Sequence, residues 1–334
     1  VTNSLILNGN NLVMHSVIDF AGGNGPPLVG TPGTIAQNLN SLLLGGNNLP
    51  FMNQLLQFTT PGQYGQALQM LAPVTDGSSN SSTMVTAAAF SNQLLSCKVA
   101  GDRGDSYAYI REGQCVWARV TARHTSIDAS ANGAGASERT TLLSTGAQFN
   151  LGGPWRIGAG IGYEEPHARS DFSSVDTRRV HLGGVLKYNT GPWLMAFGLT
   201  GGFGWSDSAR TVAFGGLNTL ATSSFDSNFI SGRFTSAYLM RIDGMYLKPQ
   251  VELAQTYLNR SSYVESGAGG VALAVADSGM TVLSFSPSVE LGTQVKYDGI
   301  MYRPYAKVGG TWRDKDTLTT TASFAAGGVG APQF

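Results

Sequence analysis

The amino-acid sequence predicts an all-β protein, a transmembrane antiparallel β-barrel, that is preceded by a helical region. Charged residues make up 13% of the 334 residues and 44 residues are glycine, a composition that favours a β-rich protein over a cytosolic helical one. From about residue 114 onward, apolar residues recur at every second position, which is the period of a strand. No run of about 18 apolar residues occurs, so transmembrane helices are excluded.

The residues before the barrel predict a linker and several helices. Residues 1–32 are rich in Asn, Gly and Thr, which indicates the end of a β-structure followed by a linker. Residues 33–72 contain three stretches that start with a cap residue or proline and carry Leu, Met and Ala at helical spacing. After a polar break at 75–82, we expect a further helix of about 15 residues with small, uncharged side chains.

The stretch "GPWLMAFGLTGGFGW" at 191–205 shows the strand pattern most clearly. One face is large and apolar with Trp193 and Trp205 at its ends, and the other face is mostly Gly, Ala and Thr. The pattern recurs along the chain. We therefore expect about nine strands, near 115–125, 140–151, 155–164, 179–189, 193–205, 229–242, 245–258, 282–296 and 299–312.

Aromatic residues mark the ends of the apolar face on several predicted strands. The two aromatics of a strand are 8 to 12 residues apart. At ~3.3 Å per residue and a tilt near ~40°, this distance projects to roughly 20–30 Å, the height of the apolar band of an outer-membrane barrel. A soluble sandwich also alternates, but it buries its apolar face. The predicted aromatic girdle is Trp155, Tyr163, Trp193, Trp205, Tyr302 and Trp312.

The predicted connections alternate between short and long, as in bacterial outer-membrane barrels. The short turns are "LGGPWR", "NTGPW", "RIDGM" and "KYDGI", and the long connections fall near 127–138, 164–177, 206–227, 260–280 and from 313 onward. Three prolines, Pro249, Pro287 and Pro304, lie within predicted strands and each removes a ladder hydrogen bond. Two of the three lie near the tight-turn rim, where we expect a bulge to absorb the loss.

The order of these parts resembles the C-terminal translocator domain of autotransporters, the type V secretion proteins. "GTIAQNLNSLL…LPFMNQLLQF…YGQALQMLAP" looks like the helical junction before the barrel in rhizobial and related autotransporters. "AAAFSNQLLSC…REGQCVWARV" looks like the family's helix passing into its first strand, and "YRPYAKVGGTWRD" looks like a strand of its penultimate region. The resemblance covers about residues 33–324.

The resemblance implies a domain order and a strand number. Residues 1–32 would be the end of a passenger or a linker, 33–80 the helical junction, 81–98 a lumenal linker helix and 99–334 the barrel. Barrels of the family have twelve strands, so about three strands are expected to be missing, either because the chain is a fragment or because they lie beyond the sequence. The tail from 313 predicts a long outer loop, and Phe334, although aromatic, has no amphipathic strand before it.

The predicted functional site is the barrel lumen. The resemblance places the helix in it, with Ala87, Ala88, Ala89, Ser91 and Asn92 at its surface. Lumenal glycines would give the helix room, and lumenal charges would pair with one another and hold or pass a polypeptide. The predicted lining is Arg119, Arg156, Gly158, Gly160, Gly198, Gly202, Arg233, Lys248, Glu252, Glu290, Arg303 and Lys307.

The function that the resemblance implies is export and surface anchoring of the chain's own N-terminal passenger in the outer membrane of a Gram-negative bacterium. Such a protein is not an enzyme and needs no cofactor. The expected partners are outer-membrane lipid, the passenger and, by the resemblance, the barrel-assembly machinery and periplasmic chaperones. Nucleic acid is not expected, since Lys+Arg and Asp+Glu both number 21. Asn80 and Asn92 are not in an Asn-Asn pair, so we expect no self-cleavage.

Two other functions stay open at this point. Glu164, Glu165, His167 and Asp171 on a predicted outer loop could activate water in an outer-membrane hydrolase or protease. A barrel with an empty lumen would be a simple porin. No metal-ligand spacing, nucleophile elbow or phosphate loop is found. The tripeptide Arg103-Gly104-Asp105 matches the integrin-binding sequence, but its position before strand one would put it at the periplasmic rim.

The two cysteines, Cys97 and Cys115, leave their pairing open. In an oxidising compartment they could close a short loop, which would stabilise the fold by about 3 kcal/mol on the loop-entropy model. In a reducing compartment they would remain two thiols.

Overall fold

The computed structural model describes residues 2–8, 11–21, 28–73, 76–95, 97, 110, 112–130, 134–293, 295–298, 300–302, 304–315, 319–328 and 330–334. Side chains are described in these ranges except at 2–17, 76–81, 296 and 300–301. The tripeptide Arg103-Gly104-Asp105 and the predicted lumen residue Arg303 lie outside the described residues.

The N-terminal region contains a hairpin and four helices. The hairpin pairs β1 (Thr2–Asn8) with β2 (Asn11–Val17), and the helices are α1 (Gly30–Leu44), α2 (Met52–Leu55), α3 (Pro61–Met70) and α4 (Asp76–Leu94). The predicted polar break at 75–82 is wrong from Asp76 onward, where α4 begins, and Ser82 at the end of this stretch donates a hydrogen bond to Glu138 of the sheet. Within the described part of the chain, no helix has both the length and the apolar character needed to cross a membrane.

Most of the remaining chain forms strands. In chain order these are β3 (Cys115–Ile127), β4 (Ala136–Gly152), β5 (Trp155–Arg169), β6 (Ser173–Thr190), β7 (Trp193–Phe214), β8 (Leu217–Tyr238), β9 (Met240–Ile242), β10 (Met245–Arg260), β11 (Tyr263–Val264), β12 (Leu273–Val275), β13 (Ser278–Thr293), β14 (Val295–Tyr297), β15 (Ile300–Tyr302), β16 (Tyr305–Gly309), β17 (Trp312–Arg313) and β18 (Ala322–Phe324).

The main sheet is antiparallel and joins strands that are neighbours in the chain. Its order is β16-β13-β10-β8-β7-β6-β5-β4-β3, while β9 continues the line of β8 along β10 and β17 continues that of β16 along β13. In the described residues β3 and β16 form its two edges. The predicted all-β antiparallel fold, with about nine main strands, is confirmed.

The strands extend further than predicted at one end of the sheet. At what we call the turn end, short turns at 153–154, 191–192 and 243–244 join the strands as predicted. At the opposite, far end, 170–172 joins β5 to β6, and Gly215–Gly216, both with positive φ, join β7 to β8. The predicted long connections 164–177 and 206–227 are therefore wrong. The tail from 313 is not a plain loop either, since β18 pairs with β12.

The strand prolines lie at gaps in the ladder and not at bulges. The β8–β10 pairing stops at Gln250 and resumes between β9 and Leu247, in the same register, so that Pro249 falls in the gap. Pro287 falls in a matching gap between the pairings of β13 with β16 and with β17. Pro304 comes immediately before β16. A missing amide hydrogen is thus tolerated without a shift of register, contrary to the expected bulge.

The main sheet curves around α4. This one helix contacts β4, β5, β6, β7, β8 and β10. Six strands at a spacing of ~4.8 Å would span ~24 Å if they were flat, while a helix is only ~10–12 Å across. The sheet must therefore wrap around the helix, and we call the side toward α4 the inner face.

Apolar residues change faces part of the way along the strands. Toward the turn end the outer face is apolar and exposed, with Phe197 53% exposed and Trp205 50% exposed. Toward the far end the inner face is apolar, with Val212 and Phe214 buried, while Asp207 on the outer face is exposed. The register of β7 with β8 is continuous through this change. The outer face thus changes from bulky apolar side chains to polar or small ones at one level of the sheet, although the strand pairing is not interrupted there.

The apolar inner surface at the far end is covered by a cluster that we call the cap. It consists of α1–α3 and of residues 263–275, 322–328 and 330–334, packed on the inner residues of β5–β8. Arg210 on β7 holds it together: its guanidinium bonds to Glu265 at 2.9 and 2.5 Å, to the Met70 carbonyl at 2.5 Å and to the Val271 carbonyl at 2.9 Å. Phe334 lies in the cap against Phe324, with ring centroids 5.3 Å apart.

Candidate functional site

The helix α4 runs along the inner face in a defined direction. Near its start, the Ser82 hydroxyl donates to Glu138, which lies close to the far end of β4. Beyond its last residue, the Leu95 carbonyl accepts a hydrogen bond of 2.9 Å from Lys187, close to the turn end of β6. The 13 positions between these contacts correspond to ~20 Å of helix. The N-terminal end of α4 therefore points to the far end of the sheet.

The centre of the site is a buried ionic cluster on Glu164. Its Oε2 accepts one hydrogen bond of 2.9 Å from Arg179, and His181 Nε2 lies at the same distance of 2.9 Å from this oxygen. Its Oε1 accepts a 2.6 Å hydrogen bond from the Thr86 hydroxyl of α4. Arg179 also donates to the Thr83 hydroxyl at 2.8 Å. Because a buried charge is costly unless it is paired, these bonds fix both the carboxylate and the helix.

A second carboxylate, Glu138, holds α4 nearer the far end. It accepts hydrogen bonds from Ser82 and, at 2.7 Å, from Thr140 on its own strand. Arg123 of β3 lies 3.4 Å from Glu138 and donates to the Thr86 hydroxyl at 3.0 Å. The hydroxyl groups of α4 are therefore hydrogen-bond partners of charged residues of the sheet.

The third carboxylate, Glu112, lies between the end of α4 and the first strand. Lys187 donates to it at 2.7 Å, and Gln148 donates at 3.3 Å. Close by, Cys97 and Cys115 form a disulfide with a Cα–Cα distance of 6.0 Å. Cys97, three residues beyond the end of α4, is thus covalently joined to the start of β3 at the turn end.

Glycines on the inner face leave space for α4. A Cβ at Gly160 would lie 2.9 Å from a Leu94 methyl, and one at Gly183 would lie 2.5 Å from the other Leu94 methyl. Gly198 faces the Ser91 hydroxyl at 3.7 Å from such a Cβ. Gly158 and Gly202 make room for Val185 and Phe229 of the sheet and not directly for the helix.

The predicted helix surface residues contact several parts of the sheet. Ala87 is buried in one cluster with Phe229 and Leu258, and Ser91 is buried as well. Asn92 accepts a 2.6 Å hydrogen bond from Arg233. Ala88 and Ala89 are half-buried.

The predicted charged lining falls into paired and exposed groups. Arg233 lies 3.4 Å from Glu252, and Lys248 lies 2.8 Å from Glu290. Arg156 is half-buried and donates to the Glu112 carbonyl at 3.3 Å. Two residues are exposed because they lie on the edge strands of the sheet, namely Arg119 on β3 and Lys307 on β16.

The aromatic residues predicted as a girdle lie on the exposed surface. Trp193 packs edge-to-face on Tyr238 with centroids 4.7 Å apart, and Trp155 packs on Tyr188 at 5.0 Å. The residues in question, all exposed, are Trp155, Tyr163, Trp193, Trp205, Tyr302 and Trp312.

The residues considered for hydrolysis do not converge. Glu164 lies in β5 and points inward, so the predicted outer loop at this position is wrong. Glu165 and His167 point to the opposite face, where His167 Nδ1 lies 2.8 Å from Asp176. In the part of the chain that the structure describes, no group of three or more His, Cys, Asp or Glu residues could hold a metal ion.

Sequence reasoning missed the acidic partners of the site. Glu138 falls just before the predicted start of its strand, although it alternates with Thr140 and Ser144 on the buried face. The sequence places Glu164 where a predicted strand meets a predicted outer loop, and it gives no sign of the partner Arg179. Glu112 gives no local signal, because Lys187 and Gln148 are distant in the sequence.

A model of the family "Autotransporter beta-domain" matches residues 116–334. The translocator domain of autotransporter NalP from Neisseria meningitidis has a similar structure, with a TM-score of 0.57 and 14% identity over 73% of this chain and 86% of that chain. The β domain of the Bordetella autotransporter BrkA gives a TM-score of 0.46 and 16% identity over 63% and 85%. No curated protein matches the chain.

Proposed function

Because this chain belongs to the autotransporter β-domain family, whose members are outer-membrane translocator domains, we propose that it exports its own N-terminal passenger and anchors it at the cell surface. The passenger would be whatever precedes the helical region. Insertion by the barrel-assembly machinery, after transit with periplasmic chaperones, stays a prediction of the family resemblance.

The observation that carries this proposal is the direction of α4. The turns of outer-membrane barrels are short on the periplasmic side, whereas the extracellular connections are longer. The turn-end connections 153–154, 191–192 and 243–244 have two residues each, while the far-end connection 261–277 has 17, so we assign the turn end to the periplasm and the far end to the outside of the cell. Lys187 holds the C-terminal end of α4 at the turn end, and Glu138 holds its N-terminal half toward the far end. A chain that enters the helix from outside and leaves it into β3 has its N-terminal part outside the cell.

The contents of the inner face support a translocator over the alternatives. A porin needs an open water path, whereas here the Glu164 cluster and the Leu94 side chain bring α4 against the sheet. A hydrolase needs convergent groups, whereas Glu164 and His167 lie on opposite faces. The polar side chains that surround α4 are suited to an extended or helical polypeptide, because they offer bonds to hydroxyl groups and carbonyls.

The test is to place an epitope tag before Val1 and to probe the tag on intact cells. We expect the tag to be reached by antibody and removed by external protease. Deletion of residues 82–95 should abolish this display, because it removes the held helix, and should raise the conductance of the reconstituted barrel. Deletion of residues 2–15, which has the same length, is the control and should preserve both display and conductance.

The proposal fails if the tag stays inaccessible in intact cells while the barrel is folded and in the outer membrane. It also fails if the 82–95 deletion displays the tag as well as the unaltered chain. Folding of each variant is verified by heat-dependent electrophoretic mobility.

A further inference from the structure

A groove of about 520 Å³ crosses the outer face of the sheet near the turn end. It is separate from α4 and its charged partners, because it lies on the opposite face. Its size is within the ~300–1,000 Å³ that small-molecule sites occupy. Its lining crosses β7, β8, β10, β13 and the β16–β17 edge and contains no charged residue.

The groove exists because the outward side chains along one line across the strands are short, while those on either side of the line are bulky. Its floor is a line of residues with short side chains. Ser236 is opposite Val251, Val251 is opposite Pro287, and the Gly310 amide donates to the Pro287 carbonyl at 3.2 Å. This line would carry an extended chain across four strands, that is three strand spacings or ~14 Å.

Bulky rows bound the floor on both sides. Toward the turn end, Trp193 is opposite Tyr238, and their rings are 4.7 Å apart. Toward the far end, Phe234, Leu253, Phe285 and Trp312 are paired in sequence across four strands. The depression is therefore set by side-chain volume in a continuous sheet.

We propose that this groove binds one acyl chain of a phospholipid from the inner leaflet of the outer membrane. Three observations support this occupant. The groove is continuous with the apolar outer face that meets lipid, its lining carries no charged residue, and it lies beside Trp193 at the turn end, which faces the periplasm. A lipid at this position would be held against the barrel, whereas its neighbours would exchange freely. The proposal rests on the outer-membrane location and not on passenger export.

The test is native mass spectrometry of the full chain, extracted in detergent and titrated with a phosphatidylethanolamine that has 16-carbon chains. We expect one molecule to remain bound at low lipid concentration. Ser236→Trp fills the floor and should weaken this binding at least tenfold. Gly232→Trp is the matched control: it adds the same side chain to the outer face of the same strand, where a Cβ meets nothing within 4 Å. It should bind lipid like the unaltered chain.

Val251→Trp fills the groove from the neighbouring strand and maintains the test if Ser236→Trp does not fold. Equal lipid retention by the filled variants and the control overturns the proposal, because the lipid would then bind elsewhere. Tighter binding of lipid A than of phosphatidylethanolamine overturns the assignment to the inner leaflet. A dimer that disappears in Ser236→Trp would make a second copy of the chain the occupant, and would also overturn it.

Discussion

Arg179 donates a 2.9 Å hydrogen bond to Glu164, and both side chains are buried between the sheet and α4. His181 Nε2 lies 2.9 Å from the same carboxylate oxygen, so that Glu164 is the partner of two side chains, Arg179 and His181. Removing one member of a buried ion pair leaves the other charge unpaired, at a cost of ~3–5 kcal/mol.

We therefore expect Glu164→Gln to lower the temperature at which the folded barrel band converts to the unfolded band in electrophoresis. Its neighbour Glu165 is the control, because it lies on the outer face with its carboxylate exposed. Glu165→Gln should change the transition little. Equal losses in the two variants would contradict the role given to the buried cluster.

The approach of α4 to the sheet gives a second prediction. Gly183→Val would put new atoms against Leu94, which lies 2.5 Å from the position of a Cβ, and against Phe90 at 3.1 Å. Overpacking of this kind costs ~1–3 kcal/mol. We expect α4 to be displaced and the conductance of the reconstituted protein to rise. At the adjacent Gly184, a Cβ points outward and meets its nearest atom at 3.6 Å, so Gly184→Val should leave the conductance unchanged. A closed Gly183→Val barrel would contradict the prediction.

The cap depends on the buried pair of Arg210 and Glu265. We expect Arg210→Leu to release α3 from β7, because both the ion pair and the bond to the Met70 carbonyl are lost. Hydrogen exchange in residues 61–70 should become faster, by an amount that corresponds to ~3–5 kcal/mol. The control is Arg178→Leu, which breaks an exposed pair with Asp207 at 3.7 Å and should cost at most ~1 kcal/mol. Unchanged exchange in Arg210→Leu would contradict this view of the cap.

Tyr64 gives the cap a dependence on alkaline pH. Its hydroxyl donates to the Phe20 carbonyl at 2.7 Å, and burial followed by the negative charge of Asp19 raises the pKa of Tyr64. The raised pKa means that stability is complete below the unfolded value of ~10 and is lost as the pH rises from there toward the folded value.

Protease sensitivity of residues 18–21 and 28–44 should therefore increase above pH ~10 in the unaltered chain. Tyr64→Phe should remove this dependence and cost ~1 kcal/mol at neutral pH through the lost hydrogen bond. Identical pH profiles for the two proteins would show that Tyr64 is not the group responsible.

The membrane part of the fold could be predicted from the sequence because there the two faces meet different solvents. Trp193, Phe197 and Trp205 lie on one exposed face, while Gly198 and Gly202 lie on the other, as the alternation predicts. The four helices could be found as well, although the start of α4 at Asp76 could not, because the polar residues 76–82 carry no apolar residues at helical spacing.

The far halves of the strands could not be predicted in the same way. In 206–214 the outer residues are polar or small and Val212 and Phe214 face inward, so the criterion of a bulky apolar outer face fails. The partners that explain this reversal come from α1–α3 and from residues 263–275, which are distant in the sequence. Pairs such as Arg210 with Glu265 depend on that packing and leave no local pattern.

The exchange of faces also sets how deep the protein sits in its bilayer. Arg178, Trp205 and Asp226 are adjacent on the outer face at the level where the exchange occurs. Sinking by a few ångströms would drag Arg178 and Asp226 into hydrocarbon, and an arginine there costs up to ~2–4 kcal/mol at mid-membrane. Rising would lift Trp193 and Tyr238 away from their headgroup level. The immersion depth is thus fixed by outward side chains on three neighbouring strands, β6, β7 and β8.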